Sequence, residues 1–202
     1  MTMLYFVRHG ETEWNVERRI QGQLDSKLTK NGIEKVKLLS EHLKQIEWET
    51  VYSSPLGRAY QTAQLLSPTT EIIKDHRLME MHLGDFEGVL WSEMKEKQRT
   101  LYEYYWRNPS QFKHPSSESF YDLKERVTDF LHEISEQHQE GNILIVTHGV
   151  VIQVLQLIIN KLPLNDLWLT PIVNGATVTK VEINNQTMKL VTIGEELNTL
   201  YE

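Results

Sequence analysis

The sequence of 202 residues has no cysteine, which removes disulfides, thiolate metal sites and a cysteine nucleophile and fits a reducing, cytoplasmic compartment. It has no excess of positive charge either: 21 lysines and arginines stand against 28 acids, a net charge of -7. Nucleic-acid partners bind through clustered Lys and Arg, so none is expected, and any positive field must be local. Long hydrophobic runs are missing too. The longest apolar stretch, residues 150–159, is interrupted by Gln153 and Gln156 and falls short of the roughly 20 residues that span a bilayer, so no membrane partner is expected. With the first strand beginning almost at Met1, no room is expected for a signal segment. The patterns G-x-x-x-x-G-K, G-x-G-x-x-G and G-x-S-x-G do not occur, which leaves nucleotide and serine-hydrolase readings unsupported. The chain shows no repeats, low-complexity tracts or linkers, and its length suits one substantial core.

What is present is a set of apolar runs that stop at polar groups. Residues 4–7 end at Arg8-His9-Gly10-Glu11-Thr12. Residues 50–53 are cut off by Ser54-Pro55, with Arg58 then in the first turn of a helix through Ala59, Thr62, Ala63 and Leu66. Residues 142–147 form a continuous apolar strand, of the kind buried on both faces of a parallel sheet, and end at His148-Gly149. Between them, Ile33, Val36, Leu39, Leu43 and Ile46 recur at helical spacing, as do Phe120, Leu123, Val127, Phe130, Leu131 and Ile134. Gly141 is expected to end the second of these helices. A short strand at Ile72-Ile73 precedes an acid-bearing loop over 78–88, and residues 177–183 and 188–193 flank Asn184-Asn185-Gln186 as a hairpin at one edge. The expected fold is α/β, a single domain over 1–202: a three-layer sandwich with a mainly parallel sheet, one antiparallel edge strand and a small helical subdomain, a lid-like insertion over 90–118.

In a parallel sheet these strand ends meet at one edge, where open α/β sheets hold ligands. There Arg8, His9, Arg58 and His148 would converge with the carboxylate of Glu80. Two guanidiniums and two imidazoles suit a phosphoryl group, whose charge spreads over three equatorial oxygens. A neutral imidazole can attack phosphorus and form a phosphohistidine. His9 must then be neutral, as nearby Arg8 and Arg58 favour, with its other ring nitrogen held by a backbone carbonyl. The departing alkoxide needs a proton, for which Glu80 is the candidate donor. Glu11, Glu13, Asp85 and Glu87 compete for that role, although Glu11 could instead orient the first loop.

The blocks Arg8-His9-Gly10-Glu11-Thr12, Trp14-Asn15, Gln21-Gly22, Ser53-Ser54-Pro55-Leu56-Gly57-Arg58-Ala59 with Thr62-Ala63, and Thr147-His148-Gly149 resemble the histidine phosphatase superfamily, in its phosphoglycerate mutase-like branch. The resemblance covers nearly the whole chain. It implies that fold, His9 as the phosphorylated nucleophile, Arg8, Arg58 and His148 as the phosphate pocket, and Glu80 as proton donor. It also implies Asn15 and Gln21 as further phosphate contacts, with Gly22 and Gly149 beside them as substrate-binding positions, and catalysis without a metal or bound cofactor. The run Glu80-Met81-His82-Leu83-Gly84-Asp85-Phe86-Glu87-Gly88 looks like the phosphatase members and departs from the Glu-Arg-His-Tyr-Gly form of the mutases. Glu118-Ser119-Phe120 with Asp122-Leu123 and Arg126-Val127 resembles the matching phosphatase helix, but Ser116-Ser117 stand where phosphatases usually carry two glycines.

The expected activity is metal-independent, broad-specificity hydrolysis of small-molecule phosphomonoesters. A 2,3-bisphosphoglycerate-dependent phosphoglycerate mutase is the nearest alternative, and a phosphate-binding module without turnover is a second. The aromatic segment from Trp91 to Phe112 reads as core packing before it reads as a substrate wall, and His82, two residues from Glu80, as a solvated loop histidine before a substrate contact. No metal-ligand spacing such as H-E-x-x-H occurs. Oligomeric state is not written in the sequence.

Overall fold

The computed structural model describes residues 1–185 and 187–195. In chain order its elements are β1 (Thr2–Arg8), α1 (Glu13–Glu17), α2 (Lys30–Leu43), β2 (Trp48–Ser53), α3 (Gly57–Leu66), β3 (Ile72–Lys74), α4 (Trp91–Lys97), α5 (Arg99–Arg107), α6 (Phe120–Gln137), β4 (Gly141–Thr147), α7 (Gly149–Asn160), β5 (Val178–Asn184) and β6 (Thr187–Glu195). The strands form one sheet in the order β3-β2-β4-β1-β5-β6. Neighbours among β3, β2, β4 and β1 pair parallel, whereas β5 runs antiparallel to β1 and β6 antiparallel to β5. The strand that runs against its neighbours is therefore β5, and the hairpin adds β6 outside it. Gln186, the last of the expected turn residues, lies outside the described residues.

The two-residue period of a strand builds the layers. On β4, Ile143 and Ile145 enter a core shared with α6 and α7, while Leu144 and Val146 enter a second core shared with α2 and α3. Both faces of the parallel strands are thus covered by helices, as such strands require. Side chains fix the starts of α1, where Thr12 and Asn15 form a capping box, and of α2 and α6. Thr29 accepts the Gly32 N–H at 2.9 Å ahead of α2, and Ser119 with Asp122 forms a reciprocal capping box ahead of α6.

One expected stop is corrected. The helix α6 ends at Gln137, and Gly141 opens β4 instead. His138 leaves the helical conformation because its ring is drawn to β2, where Nδ1 lies 3.0 Å from Glu49 and Nε2 lies 3.1 Å from the Tyr52 hydroxyl. Likewise α2 ends at Leu43, and Ile46 still packs on the second core from beyond the helix.

Because β1, β2 and β4 are parallel neighbours in register, their carboxyl ends lie side by side. Backbone bonds continue past those ends: His9 N donates to Thr147 O at 3.0 Å, Ser54 N to Val146 O at 2.9 Å and Asp75 N to Ser53 O at 3.0 Å. The residues that leave the sheet are therefore still pinned to it.

Candidate active site

His9 follows directly on β1 and is buried. Its Nδ1 lies 2.7 Å from the Gly10 carbonyl oxygen. A carbonyl only accepts, so Nδ1 carries the proton and Nε2 keeps a lone pair. Arg58 Nε lies 3.3 Å from that Nε2 as a donor, which requires the same tautomer. Gly10 is itself held, since its N–H donates to Thr62 Oγ1 at 3.1 Å and that hydroxyl donates to the Arg58 carbonyl at 2.7 Å. Burial, with Arg58 and Arg8 beside it, keeps the His9 imidazole well below its ordinary value of 6.5.

The two arginines are anchored on their outer sides. Arg58 gives NH1 to the Leu24 carbonyl and to Asp25, both within 2.9 Å, and NH2 to the Gly22 carbonyl at 2.7 Å. Arg8 gives NH1 to the Val173 carbonyl at 2.7 Å, while its buried Nε has no partner among the described residues. His148 places Nε2 2.7 Å from Ser54 Oγ, and its buried Nδ1 has no partner among the described residues. Its ring stands edge-on to that of His9 at 5.1 Å between centroids.

Glu80 sits in the loop after β3, partly buried, with Met81 N–H on Oε1 at 3.1 Å and Val150 N–H on Oε2 at 3.4 Å. Burial raises its carboxyl above the ordinary 4.5, against the downward pull of Arg58, the backbone donors and Arg8. A carboxyl that holds its proton can act as an acid. The competing acids have other employment. Glu11 accepts from Thr29 and Asn31, as an orienter of the first loop would. Glu87 takes the N–H groups of Leu83, Gln23 and Leu24 at 2.8–3.1 Å, tying the Gly22 loop to the Glu80 loop. Glu13 and Asp85 are exposed, as is His82, and none of the three lines the cavity.

Arg126, on α6, fastens the Glu80 loop from behind. It donates to the carbonyls of Arg77, Met79 and Glu80 at 2.6–3.1 Å and grips Glu118 through Nε and NH2 at 2.6 and 2.9 Å. Glu118 in turn accepts the His82 N–H at 3.1 Å. Arg126→Met would leave the Glu118 carboxylate without its counter-ion and the carbonyls of Arg77 and Met79 without this donor, at a cost of about 3 kcal/mol in denaturant unfolding. The displaced Glu80 is expected to lower kcat about tenfold or more, because small misplacements of a catalytic group are costly. The Ser116-Ser117 pair is accommodated by Gly84, whose φ of +52° brings the neighbouring Asp85 N–H to Ser116 Oγ at 3.1 Å.

These groups surround a cavity of about 200 Å³. Of the residues anticipated from sequence, Arg8, His9, Asn15, Gln21, Gly22, Arg58, Glu80 and Gly149 line it. His148 is not among the lining residues, and its ring stands beside that of His9. Asn15 spends its Oδ1 on Thr12 in the cap of α1, and no hydrogen bond among the described residues engages the Gln21 side-chain amide. The remaining lining includes Arg19, Trp91, Trp106, Trp168, Ile172 and Val173. Sequence reasoning missed Arg19, Trp168, Ile172 and Val173. The last three lie between α7 and β5, Trp168 in a 3-10 helix over Leu164–Leu169 and the other two beyond it, in a stretch whose sequence shows neither periodicity nor a motif. Among the described residues no group of three or more His, Asp or Glu side chains could hold a metal ion, and no helix is long and apolar enough to cross a membrane.

The pattern of the histidine phosphatase superfamily (branch 1) matches residues 4–196. The chain belongs to that superfamily. A metal-independent phosphoserine phosphatase of Arabidopsis thaliana is 36% identical over 166 residues, covering 80% of this chain and 70% of that one. Phosphoserine phosphatase 1 of Hydrogenobacter thermophilus is 32% identical over 170 residues, covering 83% and 81%. Other relatives of this superfamily member carry phosphoglycerate mutase-like names. The solved structure of Bacillus stearothermophilus YhfR superimposes with a TM-score of 0.93 at 36% identity, over 96% of this chain and 98% of that one. The expected phosphoglycerate mutase-like fold is thereby matched.

Proposed function

We propose that this superfamily member is a metal-independent phosphomonoesterase that carries the phosphoryl group on Nε2 of His9. The observation that carries the reading is the bond from Nδ1 of His9 to the Gly10 carbonyl, which directs the only basic nitrogen of the ring to the side occupied by Arg58. In the first step the Nε2 lone pair attacks phosphorus and the ester P–O bond breaks. The departing oxygen takes the proton of Glu80. In the second step a water oxygen attacks phosphorus and gives a proton to the Glu80 carboxylate, and the P–N electrons return to Nε2. Inorganic phosphate leaves and both groups regain their starting forms.

Charge on the transferring group is met by Arg8 and Arg58, whose planar forks are already oriented by backbone carbonyls. A Ser54 hydroxyl that donates to Nε2 of His148 leaves the imidazole proton on Nδ1, so that ring also offers a donor. Asn15, Gln21, Gly22 and Gly149 complete the phosphate end of the cavity, and the segment 90–118 serves as its cover.

The working form has His9 neutral and Glu80 protonated. Activity is therefore expected to fall on the acid side as His9 gains a proton, below pH 6.5, and on the alkaline side as Glu80 loses one, above pH 4.5. At their ordinary values the two would be out of order, 4.5 below 6.5, so depression of the first and elevation of the second both enlarge the fraction of the protein in the working form. The test is a pH profile of phosphate release in EDTA over alkyl, aryl, sugar, glycerate and phosphoserine esters, with 2- and 3-phosphoglycerate interconversion followed in parallel. Release that survives EDTA and exceeds interconversion supports the reading. Interconversion that exceeds release would make the chain a mutase.

A further inference from the structure

From the cavity's second end we infer that the organic group of the preferred ester is flat and apolar, an aryl or arylalkyl group seated against Trp106 and Trp168, and not the zwitterionic head of an amino acid phosphate. The inference rests on the phosphomonoesterase reading and names the substrate class of the same site. Opposite the phosphate end, the walls are Ile20, Leu83, Trp91, Trp106, Trp168 and Ile172. Trp106 stands 4.6 Å from Trp168 and 5.2 Å from Trp91 between ring centroids. Trp168 is fixed by its indole N–H, which donates to the Tyr105 carbonyl at 2.6 Å. A rigid aromatic surface of this kind favours an apolar ring by area and by ring–ring contact.

The polar groups at this end are largely spent. Gln153 donates its amide N–H to Thr170 Oγ1 and accepts the Gln156 amide N–H on its oxygen. Arg19 gives Nε to Glu17 at 2.8 Å and NH1 to the Gly88 carbonyl at 2.6 Å, so its charge already has a counter-ion. Among the described residues, the polar side-chain groups left without a hydrogen bond here are the indole N–H groups of Trp91 and Trp106 and the Tyr105 hydroxyl, all uncharged, and one terminal nitrogen of Arg19. Burying the α-ammonium and α-carboxylate of phosphoserine against these walls would cost hydration without a charged partner for the ammonium. A substituent that suits them is a neutral oxygen.

The test compares esters whose alkoxides leave equally poorly, so that chemistry does not mask binding: 2-phenylethyl phosphate, ethyl phosphate and phosphoserine. The expected kcat/KM for 2-phenylethyl phosphate is about tenfold or more above either of the others. In Trp168→Leu, the ratio of 2-phenylethyl to ethyl phosphate should fall several-fold towards one. Binding of 2-phenylethylphosphonate against ethylphosphonate, followed by tryptophan fluorescence in the unaltered protein, gives the same comparison without turnover. A preference for phosphoserine that disappears in Arg19→Met, or equal affinity for the two phosphonates, would overturn the substrate class. Absence of release from every ester with tight 2-phenylethylphosphonate binding would instead overturn the phosphatase reading and leave the aromatic site standing.

Discussion

Replacing His9 by alanine is expected to lower phosphate release by at least about a thousandfold on every ester, because removing a nucleophile forfeits the covalent route and not merely an interaction. The loss should appear in kcat, with the substrate still bound by Arg8, Arg58 and the backbone around Gly22. The fold should survive. His9 is buried but its imidazole is neutral there and unfavourably placed for protonation, so a smaller neutral residue leaves no unpaired charge behind. The unfolded chain takes up a proton near pH 6.5 that the folded imidazole refuses, so this group weakens the fold as pH falls through that value. His9→Ala should accordingly resist mild acid better than the unaltered protein, read as the unfolding midpoint at pH 5.5 against pH 8. Retained turnover in a folded His9→Ala protein would end the covalent mechanism.

The second large effect belongs to Glu80. With glutamine in its place, phosphorylation of His9 by alkyl esters is expected to slow by about a hundred- to ten-thousandfold, the range general acids supply. An activated aryl ester, whose phenolate leaves without a proton, should lose less than about tenfold in the same step. The step is isolated by the burst of phenolate, and the alkaline limb of its pH profile should vanish. Stability should move the other way. The folded Glu80 carboxyl holds its proton to higher pH than the unfolded one, so ionisation favours the unfolded state from about pH 4.5 upward. Glu80→Gln removes that penalty, and the variant should unfold at higher temperature than its parent at pH 8, with the difference shrinking below pH 4.5. Such a trade of stability against activity is common where a site holds a group in an unfavourable state. Equal losses on alkyl and aryl esters would point to a different acid.

Much of this site is legible in the sequence because three buried strands stop at charged or hydroxyl groups. The run through residues 142–147 has no polar side chain between Asn142 and Thr147, so it had to lie between two apolar layers. Once it is central and parallel to residues 4–7 and 50–53, the edge where Arg8, His9, Ser54 and His148 meet follows from topology alone. Periodicity likewise marks α2 and α6.

What the residues alone left open or missed is decided by contacts between distant segments. Glu80 and Glu87 share one loop and one residue type, yet one keeps a raised carboxyl beside Arg58 while the other accepts three backbone N–H groups. No local pattern separates them. Arg126 reads as an ordinary polar position of an amphipathic helix, and only the path of the chain from Arg77 to Glu80 brings three carbonyls to it. Gly141 looked like a helix stop because glycine commonly is one, but the His138 ring had already turned the chain toward β2. The aromatic segment turned out to be packing and wall at once: Tyr105 and Phe112 are buried, and Trp91, Tyr105 and Trp106 also face the cavity.

The central claim is a covalent phosphohistidine at His9, and rapid quenching of the enzyme with a phosphomonoester during turnover tests it most directly. Mass analysis of the digested protein at alkaline pH should find one added phosphoryl group on the peptide carrying Arg8-His9-Gly10, stable to base, lost in acid and lacking in His9→Ala. A phosphoryl group stable to acid, or one located on any other residue, would contradict it, as would steady turnover with no adduct at any quench time.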